Sequence, residues 1–496
     1  MRFIELINQS NFLKKRLENI DDIFKNSLIE GITNNSKKIK KNYIFFANIG
    51  EKTNGNIFIE EAKQNGATII ISSVETGKNI IKLPKKDYSL VYPYLCSQFY
   101  KKKPENVIAV TGTNGKTSVT DFCCQIWNFV GWNSASIGTL GIKKSTDEHR
   151  YSIDDNLTTA DSSELNKQLK KLNDQEISHV ALEASSHGIF QNRLIGINFN
   201  GAIFTNLSHD HLDFHKTMDN YFLAKKKLFT EHLKDGASVS INLDDYYGLK
   251  LYNKIKIKKY TFVNYGFNNQ SDLKIKKIEK IEKIWQLELE YKNIVYRTNI
   301  GLIGHFQIYN ALAAASICLG LGMAEDIIFK SLGYLKTVPG RMQMINDHPS
   351  KATIIIDYAH TPSALENAIL AVKKLKTKGK IYTLFGCGGE RDVEKRSKMG
   401  EVAFANSDFT IITDDNPRSE DPSIIRKNII NNYPKAIEIP GRDIAIKKAI
   451  SFLKKDDVLI IAGKGHEKTQ TIGTETLPFD DFSVVKNTFE SFYNVK

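Results

Sequence analysis

The chain has 496 residues, of which 69 are Lys or Arg and 56 are Asp or Glu, so its formal net charge is +13. At roughly 150 residues per domain, this length predicts about three domains, each with its own hydrophobic core. With 41% hydrophobic and 25% charged residues, the composition excludes a wholly disordered chain, and the 11 prolines exclude a collagen-like one.

Targeting and redox features favour a cytoplasmic protein. The longest apolar runs, such as residues 458–462, are far shorter than the roughly 18 residues that span a bilayer. The N-terminal segment has no apolar signal-peptide core. The five cysteines are scattered and lack CxxC spacing, which argues against a disulfide framework and against a structural zinc site. We therefore expect no membrane span and reduced thiols.

The positive charge is carried by lysine, with 58 Lys against 11 Arg. No nucleic-acid-binding pattern accompanies these lysines, so solvated faces explain them better than a nucleic-acid track. A P-loop protein that binds nucleic acid through its basic face is the alternative from a different functional class. Where Lys is the usual cation, an Arg indicates a site that needs a planar bidentate fork. Four arginines lie in segments rich in Gly, His or Pro: Arg193, Arg341, Arg391 and Arg418.

Taken in chain order, the predicted elements form α/β units. In residues 1–103, two buried strands (43–47 and 67–72) flank a short helix (58–65) that ends before Gly66, and 18 basic against 10 acidic residues give a net charge of +8. From residue 106, a strand (107–110) leads through a Gly-rich turn into a helix (118–129). After a boundary near residues 337–340, strands at 353–357, 381–385, 409–413 and 458–462 alternate with helices such as 362–375, which predicts a parallel, doubly wound sheet.

The turn at residues 111–118, TGTNGKTS, is typical of a phosphate-binding loop because it joins a strand to a helix. Its backbone N–H groups can hold phosphate oxygens, Lys116 can reach the β- and γ-phosphates, and Thr117 can bind Mg²⁺. Val110 stands where the first Gly of the usual motif would be.

Two clusters rich in carboxylate and imidazole follow: ALEASSHG at 181–188 and NLSHDHLDFH at 206–215. A single His is more often a packing residue than a ligand. Two such clusters beside a phosphate loop favour metal binding, since a nucleotide enzyme that uses Mg²⁺ needs ligands beyond the phosphates. The segment YFLAKKKLF at 221–229 would by itself be a solvated basic helix face.

Together these motifs resemble the ATP-dependent Mur ligases, over nearly the full chain. Further landmarks of that family appear in order: TTAD (158–161), YNALAA (309–314), VPGRM (338–342), DYAHTP (357–362), FGCGGERD (385–392), DDNPR (414–418) and GKGHE (463–467). The resemblance implies three α/β domains: a uridine-nucleotide domain (1–103), a central P-loop ATPase domain (104–337) and a C-terminal, Rossmann-like amino-acid domain (338–496).

The chemistry that the resemblance implies is amide ligation with ATP and Mg²⁺. The γ-phosphate activates the D-Glu carboxylate of UDP-N-acetylmuramoyl-L-Ala-D-Glu as an acyl phosphate, which an amine then attacks. The resemblance implies three catalytic residues: Lys116, His211 and Lys225. Lys225 would correspond to the family's carbamylated lysine, unless Lys226 or Lys227 occupies that position instead. Mg²⁺ would be held by Thr117, Glu183, His211 and Lys225. ATP would contact Gly112, Thr113, Asn114, Gly115, Lys116, Thr117, Ser118, Asn310 and Arg341, with Asp357 and His360 near the nucleotide.

The substrate contacts are likewise implied by position. The muramoyl dipeptide would be held by Ser36, Asn156, Thr158, Thr159, Ser186, Gln191 and Arg193. The incoming amino acid would be held by Arg391, Asp415, Asn416, Pro417, Arg418, Gly463 and Glu467. The resemblance also implies a monomer that works on the muramoyl dipeptide and meso-diaminopimelate and binds no nucleic acid.

Some positions depart from the family pattern. Asn35-Ser36-Lys37 and Asn54-Gly55 replace the usual DSR and DG of the uridine domain, Ala160 replaces a Pro, and Gln307 stands where Asn is common. The DNPR tetrapeptide at 415–418 resembles the signature of diaminopimelate-adding members of the family. Diaminopimelate differs from lysine by a distal carboxylate, and a bidentate Arg is the side chain expected to bind it. The tetrapeptide argues against the lysine-adding alternative. The SSHG and GKGHE segments argue against a folylpolyglutamate synthase.

Overall fold

The computed structural model describes residues 1–17, 20–47, 54–147, 150–151, 157–281, 284–375, 379–431, 433 and 435–493. Helices and strands alternate along the described residues around a four-stranded sheet (31–82), an eight-stranded sheet (106–262) and a six-stranded sheet (343–462), so the fold is a three-domain α/β architecture. Each sheet has its own buried core. We keep residues 1–103, 104–337 and 338–496 as our proposal for the domain limits.

The N-terminal domain is a small parallel sheet with strand order β1-β2-β3-β4. The predicted strand at 67–72 has those bounds, and the predicted helix is preceded by a 3₁₀ turn, Gly55–Phe58. The elements are α1 (Phe3–Ile7), α2 (Asn11–Leu17), α3 (Asp22–Lys25), β1 (Gly31–Thr33), β2 (Tyr43–Phe46), α4 (Ile59–Gln64), β3 (Ala67–Ser72), β4 (Ile80–Lys82) and α5 (Lys85–Phe99).

The central domain is built on an eight-stranded sheet with order β12-β11-β10-β5-β9-β6-β7-β8. In this sheet β7 runs antiparallel to both of its neighbours, β6 and β8. Its elements as far as β12 are β5 (Asn106–Thr111), α6 (Lys116–Phe129), β6 (Ser134–Gly138), β7 (Gly141–Lys144), β8 (Arg150–Tyr151), α7 (Ser162–Asp174), β9 (His179–Glu183), α8 (Ser186–Phe190), β10 (Phe199–Phe204), α9 (Leu212–His215), α10 (Met218–Glu231), β11 (Leu233–Ile241), α11 (Tyr246–Ile255) and β12 (Thr261–Phe262).

A second, four-stranded sheet completes the central domain, and two helices pack beside it. The meander β14-β15-β16 is antiparallel, and the sequence did not lead us to expect it. These elements are β13 (Tyr265–Gly266), β14 (Leu273–Ile281), β15 (Ile284–Tyr291), β16 (Ile294–Ile300), α12 (His305–Gly320) and α13 (Glu325–Ser331).

The C-terminal domain has a six-stranded sheet with order β17-β18-β22-β19-β20-β21. The four predicted strands pair in parallel, as expected. The additional edge strand β17, which was not predicted, pairs antiparallel with β18. The elements are β17 (Gln343–Ile345), β18 (Thr353–Asp357), α14 (Pro362–Leu375), β19 (Ile381–Phe385), α15 (Glu394–Asn406), β20 (Phe409–Ile412), α16 (Pro422–Ile430), β21 (Ile437–Glu438), α17 (Arg442–Phe452), β22 (Val458–Ala462), the hairpin β23 (Thr469–Ile472) and β24 (Glu475–Pro478), and α18 (Asp481–Tyr493).

Within the described residues, no helix is both long and apolar enough to cross a membrane. The five cysteines are all buried and form no disulfide.

Candidate active site

The phosphate loop joins β5 to α6, as the sequence predicts. Gly115 is the N-terminal cap of α6 with φ of +91°, a left-handed conformation that favours glycine, and a Cβ there would lie 2.4 Å from the Oδ1 of Asn310. Lys116 folds back over the loop, and its Nζ donates to the carbonyl oxygens of Gly112 at 3.0 Å and Thr113 at 2.8 Å. Burial lowers the pKa of Lys116.

The strands β10, β5 and β9 are neighbours in the sheet, so their carboxyl ends bring distant segments together. Glu183 closes β9 within reach of the phosphate loop. The Asn206 side chain accepts from the backbone N–H of Asn114 at 2.9 Å, and the Thr205 hydroxyl donates to the Asn114 carbonyl at 2.6 Å. The loop is therefore held by two residues directly after the end of β10, where the 206–215 cluster begins.

A cleft of about 690 Å³ lies between this loop and the C-terminal domain. Residues from seven of the predicted motifs line it together. Among the predicted positions, the lining contains Thr113, Asn114, Gly115, Lys116, Thr117, Ser118, Thr158, Glu183, His211, Asn310, Arg341, Asp357 and His360. Gly112 contributes its carbonyl to Lys116 just beneath this surface.

The four predicted metal ligands surround the phosphate loop. The Thr117 hydroxyl accepts from Arg341 Nη2 at 3.0 Å. The Glu183 carboxylate accepts from the backbone N–H of Thr139 at 3.0 Å and from its hydroxyl at 3.1 Å. His211 has φ of +54° and lies beside Asp210, with 3.4 Å between its Nε2 and Asp210 Oδ2. In the part of the chain that the structure describes, no three His, Cys, Asp or Glu side chains form a metal-binding group.

Lys225 is fully buried on α10, and its Nζ donates to the Gly112 carbonyl at 2.8 Å. The ammonium lies 4.6 Å from the centre of the Tyr221 ring. Burial lowers the pKa of Lys225 well below its usual value, and Lys116 lowers it further. Lys226 and Lys227 are partly exposed, so it is Lys225 whose side chain turns toward the phosphate loop.

Asp210 is a buried carboxylate that the sequence reasoning missed, although it lies in the same SHDHLDFH motif as His211. Burial raises the pKa of Asp210, but His211, His360 and Lys395 outweigh it and bring the pKa to about 2. This carboxylate is therefore charged at neutral pH, and the groups that stabilise its charge include Lys395 and, in the phosphate loop, Lys116.

Arg341 of the C-terminal domain contacts Thr117 of the central domain at the cleft and packs on Tyr358. The Arg341 guanidinium lies 4.3 Å from the centre of the Tyr358 ring. Asp357 ends β18 and accepts from the backbone N–H groups of Met342 at 2.7 Å and Ala359 at 2.8 Å. Burial raises the pKa of Asp357 to about 6. Tyr358 was not singled out from the sequence, although it lies in the DYAHTP motif.

The predicted dipeptide contacts of the central domain form one cluster. Arg193 donates to the Thr159 carbonyl at 2.6 Å and to the Gln191 side chain at 2.6 Å. The Ser186 hydroxyl lies 3.0 Å from His215 Nε2, and the Thr158 hydroxyl lies 3.1 Å from the Thr139 hydroxyl.

Of the other two predicted dipeptide contacts, Ser36 is buried in a 3₁₀ turn of the N-terminal domain, and Asn156 lies outside the described residues. Asp161 joins the two domains, because it accepts from Asn34 at 2.9 Å and from the Tyr92 hydroxyl. The predicted contacts of this group are thus divided between two domains that Asp161 links.

The predicted amino-acid contacts also come together, at the carboxyl ends of β19, β20 and β22. The Gly389 N–H donates to the Asn416 carbonyl at 2.9 Å, and Arg418 Nη1 donates to the Gly389 carbonyl at 2.7 Å. A Cβ on Gly463 would lie 2.9 Å from Asp415 Oδ2. Asn416 Nδ2 donates to Glu467 at 2.9 Å.

Two further members complete this group. Pro417 is packed against Gly389, since a Cβ on that glycine would lie 1.9 Å from the Pro417 carbonyl oxygen. Arg391 and Arg418 both lie next to Gly388. A Cβ built on Gly388 would be 3.7 Å from Arg391 Cγ and 2.9 Å from Arg418 Nη1. All seven predicted residues therefore lie in one group at the carboxyl ends of β19, β20 and β22.

Family models match three successive parts of the chain: "Mur ligase family, catalytic domain" at residues 28–102, "Mur ligase middle domain" at 110–318, and "Mur ligase, glutamate ligase domain" at 340–465. The chain is 40% identical over 474 residues to a UDP-N-acetylmuramoyl-L-alanyl-D-glutamate--2,6-diaminopimelate ligase of Rickettsia montanensis, covering 94% of this chain and 97% of that one. A protein of the same name from Agrobacterium fabrum is 39% identical over 459 residues, with 92% and 93% covered.

A solved structure of a protein with this name superposes with a TM-score of 0.68 at 29% identity and covers 99% of both chains. A Thermotoga maritima MurF ligase in complex with ADP has a TM-score of 0.64 at 20% identity, covers 95% of this chain and 99% of that one, and shows a shared fold. On the family models and the long, 40% identical relatives, this chain belongs to the Mur ligase family of ATP-dependent ligases.

Proposed function

We propose that the protein ligates meso-diaminopimelate to the D-Glu carboxylate of UDP-N-acetylmuramoyl-L-Ala-D-Glu, at the expense of ATP, in peptidoglycan precursor synthesis. The observation that carries the proposal is the position of the phosphate loop and the DNPR loop (415–418) on two sides of one domain junction. Arg341 touches Thr117 of the phosphate loop and stacks on Tyr358, whose hydroxyl lies 3.5 Å from Glu467. The relatives named as diaminopimelate ligases over nearly the full chain support it.

The reaction needs activation because a carboxylate has no leaving group. A carboxylate oxygen attacks the γ-phosphorus, ADP leaves, and the resulting acyl phosphate is an electrophile. The amine then attacks the acyl carbon, inorganic phosphate leaves and the nitrogen loses a proton, which gives the amide. In this scheme Lys116 holds the β- and γ-phosphates, and the N-terminus of α6 adds its backbone N–H groups. Asn310 and Arg341 are the proposed further contacts of the nucleotide.

The residues around the loop fit a Mg²⁺ ion. The Thr117 hydroxyl and the buried Glu183 carboxylate are oxygen donors of the kind that Mg²⁺ prefers, and both line the cleft with His211. Bound there, Mg²⁺ would neutralise phosphate charge. We propose Thr117, Glu183, His211 and carbamylated Lys225 as the residues that hold it.

The geometry supports carbamylation of Lys225. An unmodified ammonium in this fully buried position shares the Gly112 carbonyl with a second ammonium, Lys116. Such a pair of like charges repels an approaching metal ion. A neutral lysine amine that adds CO₂ and loses a proton becomes a carbamate, which reverses the charge and supplies two oxygens.

The muramoyl dipeptide is assigned to the cluster around Arg193, and its uridine nucleotide to the N-terminal domain with Ser36. A positively charged domain, with 18 basic against 10 acidic residues, suits a diphosphate. The amino acid is assigned to the pocket of Arg391, the DNPR loop, Gly463 and Glu467. One chain carries all of these groups, so we propose a cytoplasmic monomer that acts on small molecules and through peptidoglycan supports cell shape and division.

The test is a direct ligation assay. Purified protein is incubated with ATP, Mg²⁺, the muramoyl dipeptide and one amino acid at a time, and the product is weighed by mass spectrometry. We expect the mass of dipeptide plus diaminopimelate minus water, with ADP formed, and little product with lysine. Product with lysine but not diaminopimelate would establish the lysine-adding alternative, and no product with either would contradict the proposal. Salt-sensitive retention of DNA on a filter would instead support nucleic-acid binding.

A further inference from the structure

A buried cation, Lys464, lies next to the residues assigned to the incoming amino acid but is not itself one of the proposed contacts. Its side chain is 0% exposed, so a ligand bound at the surface of this group of residues does not contact it. Its Nζ donates to Asn416 Oδ1 at 3.1 Å and to Glu467 Oε2 at 2.9 Å. Lys464 therefore lies behind two of the residues assigned to the amino acid.

These contacts determine which way the Asn416 amide faces. Its Oδ1 accepts both from Lys464 and from the backbone N–H of Thr471, at 3.0 Å, so the two acceptor positions of this oxygen are used. The Nδ2 group donates one hydrogen to Glu467 at 2.9 Å. Asn416 can then offer a ligand only an N–H donor, which suits a carboxylate.

Glu467 is oriented by the same lysine. Its Oε2 accepts from Lys464 and from Asn416, both at 2.9 Å. Among the described residues, its Oε1 has only the long, 3.5 Å contact with the Tyr358 hydroxyl. Glu467 thus presents one oxygen, which suits an ammonium group.

We propose that Lys464 is a positioning residue that selects an amino acid with a zwitterionic distal end, because it makes Asn416 a donor and Glu467 an acceptor side by side. This inference rests on the proposed function and adds a specificity determinant to it. Diaminopimelate carries both a carboxylate and an ammonium at its distal carbon, whereas lysine carries the ammonium alone. Lys464 also offsets the negative charges of Asp415 and Glu467, which would otherwise repel the distal carboxylate.

The test compares Lys464→Met with Lys468→Met. Methionine keeps the length of the lysine side chain without its charge, and Lys468 is an exposed lysine four positions away that serves as a control for loss of one positive charge. Steady-state ligation gives kcat/KM for diaminopimelate and for lysine. Trapping of the acyl phosphate with hydroxylamine, without any amino acid, measures the first half of the reaction separately.

For Lys464→Met we expect KM for diaminopimelate to rise at least tenfold, kcat/KM for lysine to stay level or rise, and hydroxamate formation to stay within twofold of the unmodified protein. Lys468→Met should change none of these. The double variant Lys464→Met/Glu467→Gln should lose less than the sum of the two single losses, because the lysine acts partly through that carboxylate.

Two results would overturn the inference. One is an unchanged ratio of kcat/KM for diaminopimelate to kcat/KM for lysine in Lys464→Met. The other is a loss of hydroxamate formation as large as the loss of diaminopimelate ligation, which would indicate a general folding defect. If the unmodified protein traps the acyl phosphate yet ligates no diaminopimelate, the proposed function fails before this comparison begins.

Discussion

The buried ion pair between Arg442 and Asp481 offers the sharpest test of how the C-terminal domain is held together. Both side chains are 0% exposed, and the contact is bidentate, with 2.7 Å from Nε to Oδ1 and 2.7 Å from Nη2 to Oδ2. It ties α17 to α18. Arg442 also donates to the Ala462 carbonyl at 3.0 Å and approaches the Asp414 carbonyl at 3.4 Å, just before the DNPR loop.

Asp481→Leu removes one partner and leaves the guanidinium buried without its counterion. Breaking a buried pair in this way costs about 3–5 kcal/mol, because the desolvated charge is no longer compensated. For a domain of this size, each kcal/mol lowers Tm by roughly 2–4 °C, so the expected fall is roughly 6–20 °C. Replacing both partners, as in Arg442→Met with Asp481→Leu, removes the charge and should recover about half of that loss or more.

The assay is calorimetry of the full chain, with urea unfolding followed by fluorescence as the second measurement. Lys447→Met, which breaks an exposed pair with Asp443 on the same helix, is the control and should cost less than about 1 kcal/mol. The reasoning would be refuted if Asp481→Leu matched the control, or if the double variant were less stable than Asp481→Leu.

Three further predictions concern the reaction. Lys116→Ala should abolish acyl-phosphate formation in single-turnover mixing with radiolabelled ATP, since it removes the ammonium that closes the phosphate loop; normal phosphoryl transfer would contradict its assignment. Lys225→Ala should lose most ligase activity and keep its fold by circular dichroism, with short carboxylic acids restoring part of the rate; undiminished turnover would rule out the carbamate. Arg418→Ala should lower kcat/KM for diaminopimelate by up to about 10⁴-fold and cost lysine little, and Arg418→Lys should also fail; equal proportional losses would place specificity elsewhere.

The regular elements of the C-terminal domain were predicted closely from the sequence. The strands at 353–357, 381–385 and 458–462 and the helix at 362–375 have the predicted bounds. Buried parallel strands are continuous apolar runs between polar turns, so the local sequence is enough to predict where they begin and end. The helix after the phosphate loop begins at Lys116, two residues earlier than predicted, because Lys116 and Thr117 already have helical backbone directly after the left-handed cap Gly115.

Strand direction at the sheet edges and the second sheet of the central domain were not predicted. The strands β14 to β16 carry alternating charged residues that resemble a solvated surface, although the alternation and the Lys292-Asn293 turn, with φ of +50° and +64°, are a hairpin signal. The edge strand β17 has three residues, too few for a pattern to indicate its direction.

The sequence by itself determined the family, the phosphate loop and the identity of most candidate site residues, because each of these is a short motif in which neighbours along the chain act together. Only the tertiary structure decided which lysine of residues 225–227 is buried, that Asp210 is a charged carboxylate in the cleft, and that Lys464 lies behind Asn416 and Glu467. Burial and hydrogen-bond partners come from segments up to hundreds of residues away, so no local pattern contains them.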